Sequence, residues 1–375
     1  MSTAAPALPF TLASRASSRQ SFQLPNVALA SAALTIPPNT PVQVPAVGYL
    51  KNLRLEVTLT PTGGAPTLSA DAPWNIFQNI SVKNSAGQPL IAPITGYELY
   101  LINKYGGHPA GLTSAVGTSG DPKNTRQYSA PAGVQPLHFF LDLPFEFDPS
   151  SGLGAIPALA SNRSYQVELT LNALTTIYTS APTSAVVTID VTADYWDVPV
   201  SQTPAGSVQE TEPYGLGTVS LWQKETPIVA PGQQLIRSNN VGNVIRNLIL
   251  VTRTAAGART DADFPGIMEL YLDNNPNIRF KKTEWQDFMA RAYGYTATAL
   301  DAVNGLDTGV YVFPFHLLAG GLAGDPSNSR AQLLMTLDAT LLQFKGDSFG
   351  ASISTMTVLT EAVAADNPAF IYSKG

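Results

Sequence analysis

Apolar and polar residues alternate one for one over long stretches of this chain. Leu53, Leu55, Val57 and Leu59 interleave with Arg54, Glu56 and Thr58. Phe139, Leu141, Leu143, Phe145 and Phe147 interleave with Phe140, Asp142, Pro144 and Glu146. Tyr165, Val167, Leu169 and Leu171 follow the same rule, as do Val187, Ile189 and Val191, Met268, Leu270 and Leu272, and Leu333, Met335 and Leu337. A period of two turns one face of a strand to a core and the other to polar surroundings. Clusters of Gly, Pro, Ser and Asn at 61–66, 117–124, 148–154, 230–233 and 324–329 punctuate these runs as turns.

Two stretches read as helices, and they match each other. One opens at Thr95 with Glu98 three residues on, the other at Thr283 with Gln286 three residues on. Each is the pattern of a capping box, in which the two side chains satisfy free backbone N–H groups reciprocally. Aromatics then fall at equal offsets: Tyr97 with Trp285, Tyr100 with Phe288, Tyr105 with Tyr293. Gly106 and Gly294 follow at the same distance and are expected to end the helices as left-handed caps.

The correspondence extends further. Lys51-Asn52-Leu53 precedes the first helix and Arg246-Asn247-Leu248 the second. Asp71-Ala72-Pro73 and Asp263-Phe264-Pro265 lead into runs that end in turns at 84–87 and 273–276. Ser161-Asn162-Arg163 and Ser327-Asn328-Ser329-Arg330 each precede an expected long alternating strand. The chain therefore reads as one β-rich domain used twice. A domain with many antiparallel strands and one helix fits a jelly roll, two Greek keys folded as a sandwich. The expected organisation is all-β: an arm at 1–20, jelly rolls at 21–203 and 207–365 standing side by side with their strands parallel, and a tail at 366–375. Residues 107–135, rich in Gly, Ser and Pro, form a long connection of the kind that is usually functional or mobile.

Composition sharpens this picture. Charged residues are only 13% of the 375, against about 25% in a usual globular chain, and Gly and Pro number 29 and 30. That balance fits turn-rich sandwiches with extensive buried surface, some of it between subunits. With no cysteine, thiolate metal sites, disulfides and a cysteine nucleophile are excluded. The net charge of −6 argues against a protein that coats nucleic acid directly. No apolar run approaches the roughly 20 residues of a membrane span, and the N-terminus lacks the basic-then-apolar order of a secretion signal. The first 50 residues hold Arg15 and Arg19 and no acid. Leu8, Leu12, Arg15 and Arg19 share a spacing of three to four, a weak amphipathic signal.

Catalytic candidates are sparse. His108 follows two glycines, His138 sits on the polar phase of a strand, and His316 follows Pro314-Phe315. Nothing in their spacing gathers them with a serine and an acid, and no H-x-x-x-H metal pattern occurs. Asp142, Glu146 and Asp148, and Asp190, Asp194 and Asp197, fall mainly on polar strand faces, where acids serve solubility and edge protection. Asp261 and Asp263, with Asp273-Asn274-Asn275, read as turn formers, with an oxygen-rich calcium loop as the other reading. Arg279, Lys281 and Lys282 make the one tight basic cluster, read as a solvated face or a subunit salt bridge. No nucleotide-binding motif is present, and neither a cofactor nor a metal is expected.

The doubled unit resembles the double jelly-roll major capsid proteins of icosahedral double-stranded DNA viruses, nearest to the tectivirus kind, phages with a membrane inside the capsid. The likeness spans about residues 30–362. It rests on the order of the segments quoted above, on Tyr195-Trp196 closing the first half, and on Gly309-Val310-Tyr311-Val312, similar to the family's late strand. It implies a non-enzymatic protein that self-assembles as homotrimeric, pseudo-hexagonal capsomers in a virion, built in the host cytoplasm. It also implies contacts with neighbouring trimers and with minor capsid and vertex proteins. Arg15 and Arg19 would then face the interior and its membrane lipid, with no sequence-specific nucleic-acid binding. A β-sandwich binding module, a lectin or virion spike, is the alternative reading of the same strands. A sandwich enzyme is a third, and it lacks a site.

Overall fold

The computed structural model describes residues 19–24, 26–30, 42–84, 86–106, 136–146, 152–159, 165–198, 219–293, 308–315 and 333–364. The arm up to residue 18, the 107–135 connection, the 199–218 linker, His108 and His316 lie outside them.

The first half contains β1 (Arg19–Gln23), β2 (Val27–Ala30), β3 (Val42–Gln43), β4 (Gly48–Thr62), β5 (Thr67–Leu68), β6 (Phe77–Lys83) and β7 (Pro89–Ile94). Helix α1 (Gly96–Tyr105) follows, then β8 (Leu137–Pro144), β9 (Ile156–Ala158), β10 (Gln166–Leu171), the one-turn helix α2 (Leu174–Ile177), β11 (Tyr178–Ser180) and β12 (Ser184–Trp196). The second half contains β13 (Val219–Glu225), β14 (Gly232–Ser238), β15 (Val244–Arg253), β16 (Ile267–Leu272) and β17 (Asn275–Lys281). Helix α3 (Lys282–Tyr293) leads to β18 (Val310–Pro314), β19 (Leu334–Met335), β20 (Leu342–Phe349) and β21 (Thr355–Ala364).

Eight strands of the first half correspond in order and pairing to eight of the second. One sheet runs β1-β12-β4-β8 in the first half and β13-β21-β15-β18 in the second. The other runs β7-β6-β10-β3 in the first half and β17-β16-β20-β14 in the second. Both chains of strands switch sheets in the same sequence, and each helix stands between the same two strands. This is a double jelly roll. The separation expected of two sandwiches is not complete, however. A single parallel bridge, Trp222 to Ile91, joins β13 to β7 and fuses one sheet of each half into a continuous ladder.

Register makes the repeat exact at one informative place. Asn52 pairs with Asp194 and Asn247 with Glu361, and in both ladders the residue before the Asn is skipped as a bulge. Lys51 and Arg246 are those skipped residues, and a bulge re-aims its side chain. The alternation read from sequence fills the core: Leu53, Leu55, Val57 and Leu59 of β4 are fully buried, as are Leu141 and Leu143 of β8 and Val187 of β12. Each contributes about 1.5–3 kcal/mol relative to exposure.

Three expectations are corrected. Leu333, Met335 and Leu337 do not form a long strand: β19 is two residues, Met335 is 53% exposed, and the counterpart of β10 is β20. Thr283 does not cap a helix, because α3 starts at Lys282 directly out of β17, with the Lys282 N–H donating to Gly266. Gly106 does end α1, but in right-handed conformation with φ of −71°.

Candidate functional site: the seam between the halves

Helix α1 forms because its first turn satisfies itself. Thr95 Oγ1 accepts from the Glu98 N–H at 3.2 Å, and the Glu98 carboxylate accepts from the Thr95 N–H at 2.7 Å. Gly96 opens the helix because the chain passes very close to Trp74 there: a Cβ would lie 1.9 Å from the Trp74 carbonyl oxygen. Trp74 then stacks on Tyr100 at 3.8 Å between ring centroids. All ten residues of α1 are buried, including Glu98, Asn103 and Lys104.

The second half supplies the partners for these buried polar groups. Lys224 of β13 reaches the Glu98 carboxylate at 2.8 Å. The last turn of α1 has unsatisfied carbonyls. Asn247 donates to the Tyr105 carbonyl at 2.8 Å, and Arg246 donates to that of Gly106. A cation at a helix C-terminus also complements the dipole, so Arg246 does what a left-handed glycine cap was expected to do. Arg246 is itself held by Glu361 at 2.8 Å, both side chains having no exposure, and Ser220 donates to the other Glu361 oxygen at 3.0 Å.

A second lock sits at Asp71. Arg253 donates to its carboxylate at 2.8 Å and Arg259 at 2.6 Å. Arg259 also donates to the Ala70 carbonyl at 3.0 Å, and its guanidinium lies 4.5 Å from the centre of the Tyr97 ring. The seam thus sets acids and helix carbonyls of the first half against Lys224, Arg246, Arg253 and Arg259 of the second. Such complementarity fixes register and orientation between two bodies.

The residues singled out from sequence lie elsewhere. Arg15 is outside the described residues. Arg19 opens β1 opposite Asp194, so the helical spacing from Leu8 does not extend to it. His138 Nε2 is 2.8 Å from Glu56 on an exposed sheet face, with Phe140 edge-on to the ring. Asp142 was expected on a solvated face and is instead fully buried. Its carboxylate accepts from Asn52 at 3.2 Å and Arg54 at 3.0 Å. Its backbone exchanges two hydrogen bonds with the Asn103 side chain, at 2.6 and 2.8 Å, so α1 covers the edge of β8.

The acids at 261–273 each serve a loop. Asp261 accepts from the Tyr311 hydroxyl at 2.6 Å. Asp263 accepts from the Ser352 hydroxyl and backbone N–H, which holds its carboxyl below the usual range. Asp273 accepts from the Thr340 N–H and hydroxyl and from the Leu341 N–H, with the same effect. Among the described residues no three His, Cys, Asp or Glu side chains gather as a metal set. Of the basic cluster, Arg279 faces Glu269 at 3.5 Å, Lys281 faces Glu284 at 3.5 Å, and Lys282 donates to the Asp261 carbonyl at 2.8 Å.

No protein-family model and no curated protein matches the chain. Solved structures do. The crystal structure of the major capsid protein of Sulfolobus turreted icosahedral virus aligns with a TM-score of 0.60 at 14% identity, over 93% of this chain and 97% of that one. The PBCV-1 virus capsid aligns at 0.57 and 12% identity, over 93% and 94% of the two chains. The Faustovirus major capsid protein aligns at 0.57 and 9% identity, over 93% and 90%. At these identities the likeness is one of fold, and it covers both halves and the seam together.

Proposed function

We propose that this chain is a viral major capsid protein whose work is self-association rather than catalysis. The observation that carries the reading is the doubled jelly roll, similar over 93% of its length to a major capsid protein fold. Two sandwiches per chain, fixed to one another by a polar seam, give three chains six similar units around an axis. Such trimers tile a shell. In this reading the shell is icosahedral, encloses a membrane and a double-stranded DNA genome, is assembled in the host cytoplasm, and carries minor capsid and vertex proteins. The arm lies beneath it, where Arg15 within it and Arg19 at its junction with β1 attract anionic lipid by about 1 kcal/mol each. Many copies on one shell sum that weak term.

Sedimentation velocity and negative-stain electron microscopy of the purified chain test the assembly reading. A trimer at micromolar concentration, and hexagonal particles, are expected. A species that stays at 39.7 kDa throughout would reject it. Arg15→Glu with Arg19→Glu tests the lipid contact: particles that form with undiminished lipid would remove that role while leaving assembly in place.

A further inference from the structure

The outer faces of two equivalent runs of strands, β7-β6-β10-β3 and β17-β16-β20-β14, are finished differently. In the first half Lys83 closes on both oxygens of Glu168, at 2.8 and 2.7 Å, and Ser81 donates to the same carboxylate at 3.2 Å. That acid is already engaged by its neighbours. In the second half one row crosses all four strands in register: Leu235 of β14, Lys345 of β20, Glu269 of β16 and Arg279 of β17. Here one carboxylate lies between two cations and closes on neither. Glu269 stands 3.5 Å from Arg279 Nε and 3.5 Å from Lys345 Nζ. It accepts instead from the Tyr271 hydroxyl at 2.9 Å, and that hydroxyl lies 3.4 Å from Lys345 Nζ.

The row borders a cleft of about 200 Å³ lined by Gln233, Ile267, Glu269, Arg279, Lys345 and Asp347. Among the described residues the Gln233 amide and the Arg279 guanidinium make no hydrogen bond, and Arg279 meets only the Glu269 charge. One Asp347 oxygen accepts from the Ser348 N–H at 2.8 Å. The other lies 3.5 Å from where a Gly266 Cβ would be, so the bare backbone at Gly266 leaves this carboxylate room at the rim. Ile267, half-buried, and Leu235, 51% exposed, add an apolar edge.

We propose that this cleft binds one acidic sugar, a hexuronic acid unit that carries a carboxylate beside several hydroxyls, as an acidic polysaccharide presents it. The Arg279 fork matches a planar carboxylate bidentately, and Lys345 supplies a second positive charge. Glu269 and Asp347 accept from sugar hydroxyls, and the Gln233 amide both donates and accepts. The C–H face of the ring rests on Ile267 and Leu235. Other ligand classes leave part of the cleft unmatched. A neutral sugar gives the two cations no anion. A phosphate brings up to two negative charges against Glu269 and Asp347. A hydrocarbon meets four charged groups. The volume is below the roughly 300–1,000 Å³ of sites for drug-sized ligands, so a single sugar unit fills it. The cleft is complete within one chain, and the proposal is therefore independent of the self-assembly reading.

The probe is methyl glucuronide, followed by saturation-transfer NMR with the full chain at low salt. Methyl glucoside is the neutral comparison and inorganic phosphate the competitor. A dissociation constant on the order of 1 mM is expected for so small a ligand, with glucoside and phosphate at least about tenfold weaker. Arg279 is 62% exposed, so Arg279→Gln is expected to fold as the parent does and to weaken glucuronide binding about tenfold. Gln233→Ala is expected to weaken it about threefold. Arg291→Gln removes an exposed cation from α3, outside the cleft, and is expected to leave binding unchanged. Circular dichroism checks that each variant is folded. Glucoside binding as tight as glucuronide, displacement by an equal concentration of phosphate, or equal losses in Arg279→Gln and Arg291→Gln would each overturn the site. So would the absence of saturation transfer at about ten times the expected dissociation constant.

Discussion

Arg246 and Glu361 hold one another at 2.8 Å with no solvent on either side chain, and the same guanidinium reaches across to the Gly106 carbonyl of the other half. The pair is internal to the second roll, yet it aims a cation at the C-terminal end of α1 of the first roll. A buried ion pair gains little over a well-packed apolar pair, but losing one member strands the other in a medium that cannot solvate it.

Arg246→Ala is therefore expected to cost about 3–5 kcal/mol, because Glu361 is left buried and unpaired. Arg246→Leu combined with Glu361→Leu is expected to recover most of that loss. Chemical denaturation of the single and double variants checks the difference. Equal losses in both would mean that the contact with Gly106, not the buried charge, dominates.

Asp71 accepts from two arginines of the other half, so Asp71→Asn weakens two charge-assisted bonds at once. The expected loss is about 1.5–3 kcal/mol for each bond to a charged group that is fully lost. Its signature is local. Backbone amides of α1 and β15 are expected to exchange hydrogen faster, while β16 and β20, remote from Asp71, keep their protection. Uniform acceleration would show a global loss of stability rather than a loosened seam.

What could be read beforehand follows the range over which each feature acts. The α1 capping box lies within four residues, and both of its bonds are present. At α3 the partner of the first N–H is Gly266, 16 positions away, which no local pattern announces. Leu333, Met335 and Leu337 fall at alternate positions, but only Leu334 and Met335 pair as a strand, while β20 is a full strand whose alternation is broken near Gly346 by a bulge against β14. The seam was the least legible part. Arg246 and Glu361 stand 115 positions apart as single charges among apolar residues, and nothing local marks them as partners. One signal was available: Leu248, Ile249, Leu250 and Val251 run without alternation, as a strand covered on both faces does. Asp142 misled because its strand phase points outward, and only the packing of α1 on β8 closes that face.

Acid is expected to weaken the loops at 263 and 273 in a defined window. Hydrogen bonds from Ser352 and Thr340 favour the charged carboxylates, so both folded pKa values lie below the unfolded value of about 3.9. Their contribution is fully present above that value and is lost as pH falls through the folded values. Asp273→Asn keeps an acceptor and tolerates the left-handed backbone at this position, φ of 49°. Its melting temperature is expected to be lower than the parent's at pH 7 and to converge on it as pH drops below about 4. A constant gap between the two melting curves would show that the charge of Asp273 does not set the acid response.

Gly96→Ala sets two effects of opposite sign against each other. Helix propensity alone favours Ala over Gly by about 1 kcal/mol in a helix interior. At Gly96, however, the added methyl would sit 1.9 Å from the Trp74 carbonyl oxygen and 3.1 Å from the Phe77 Cβ, and neither is the far end of a flexible side chain. Packing is expected to win, with a net destabilisation of about 1–3 kcal/mol from overpacking. The strain is relieved only if α1 moves away from Trp74, which disturbs the ring stack with Tyr100 and carries Glu98 away from Lys224. Thermal denaturation gives the sign, and the fluorescence of the stacked Trp74 reports the displacement against the other three tryptophans, Trp196, Trp222 and Trp285. Unchanged assembly in a destabilised Gly96→Ala chain would mean that α1 can shift without altering the angle between the two rolls, and the seam would then stabilise the chain without setting the geometry of its assembly.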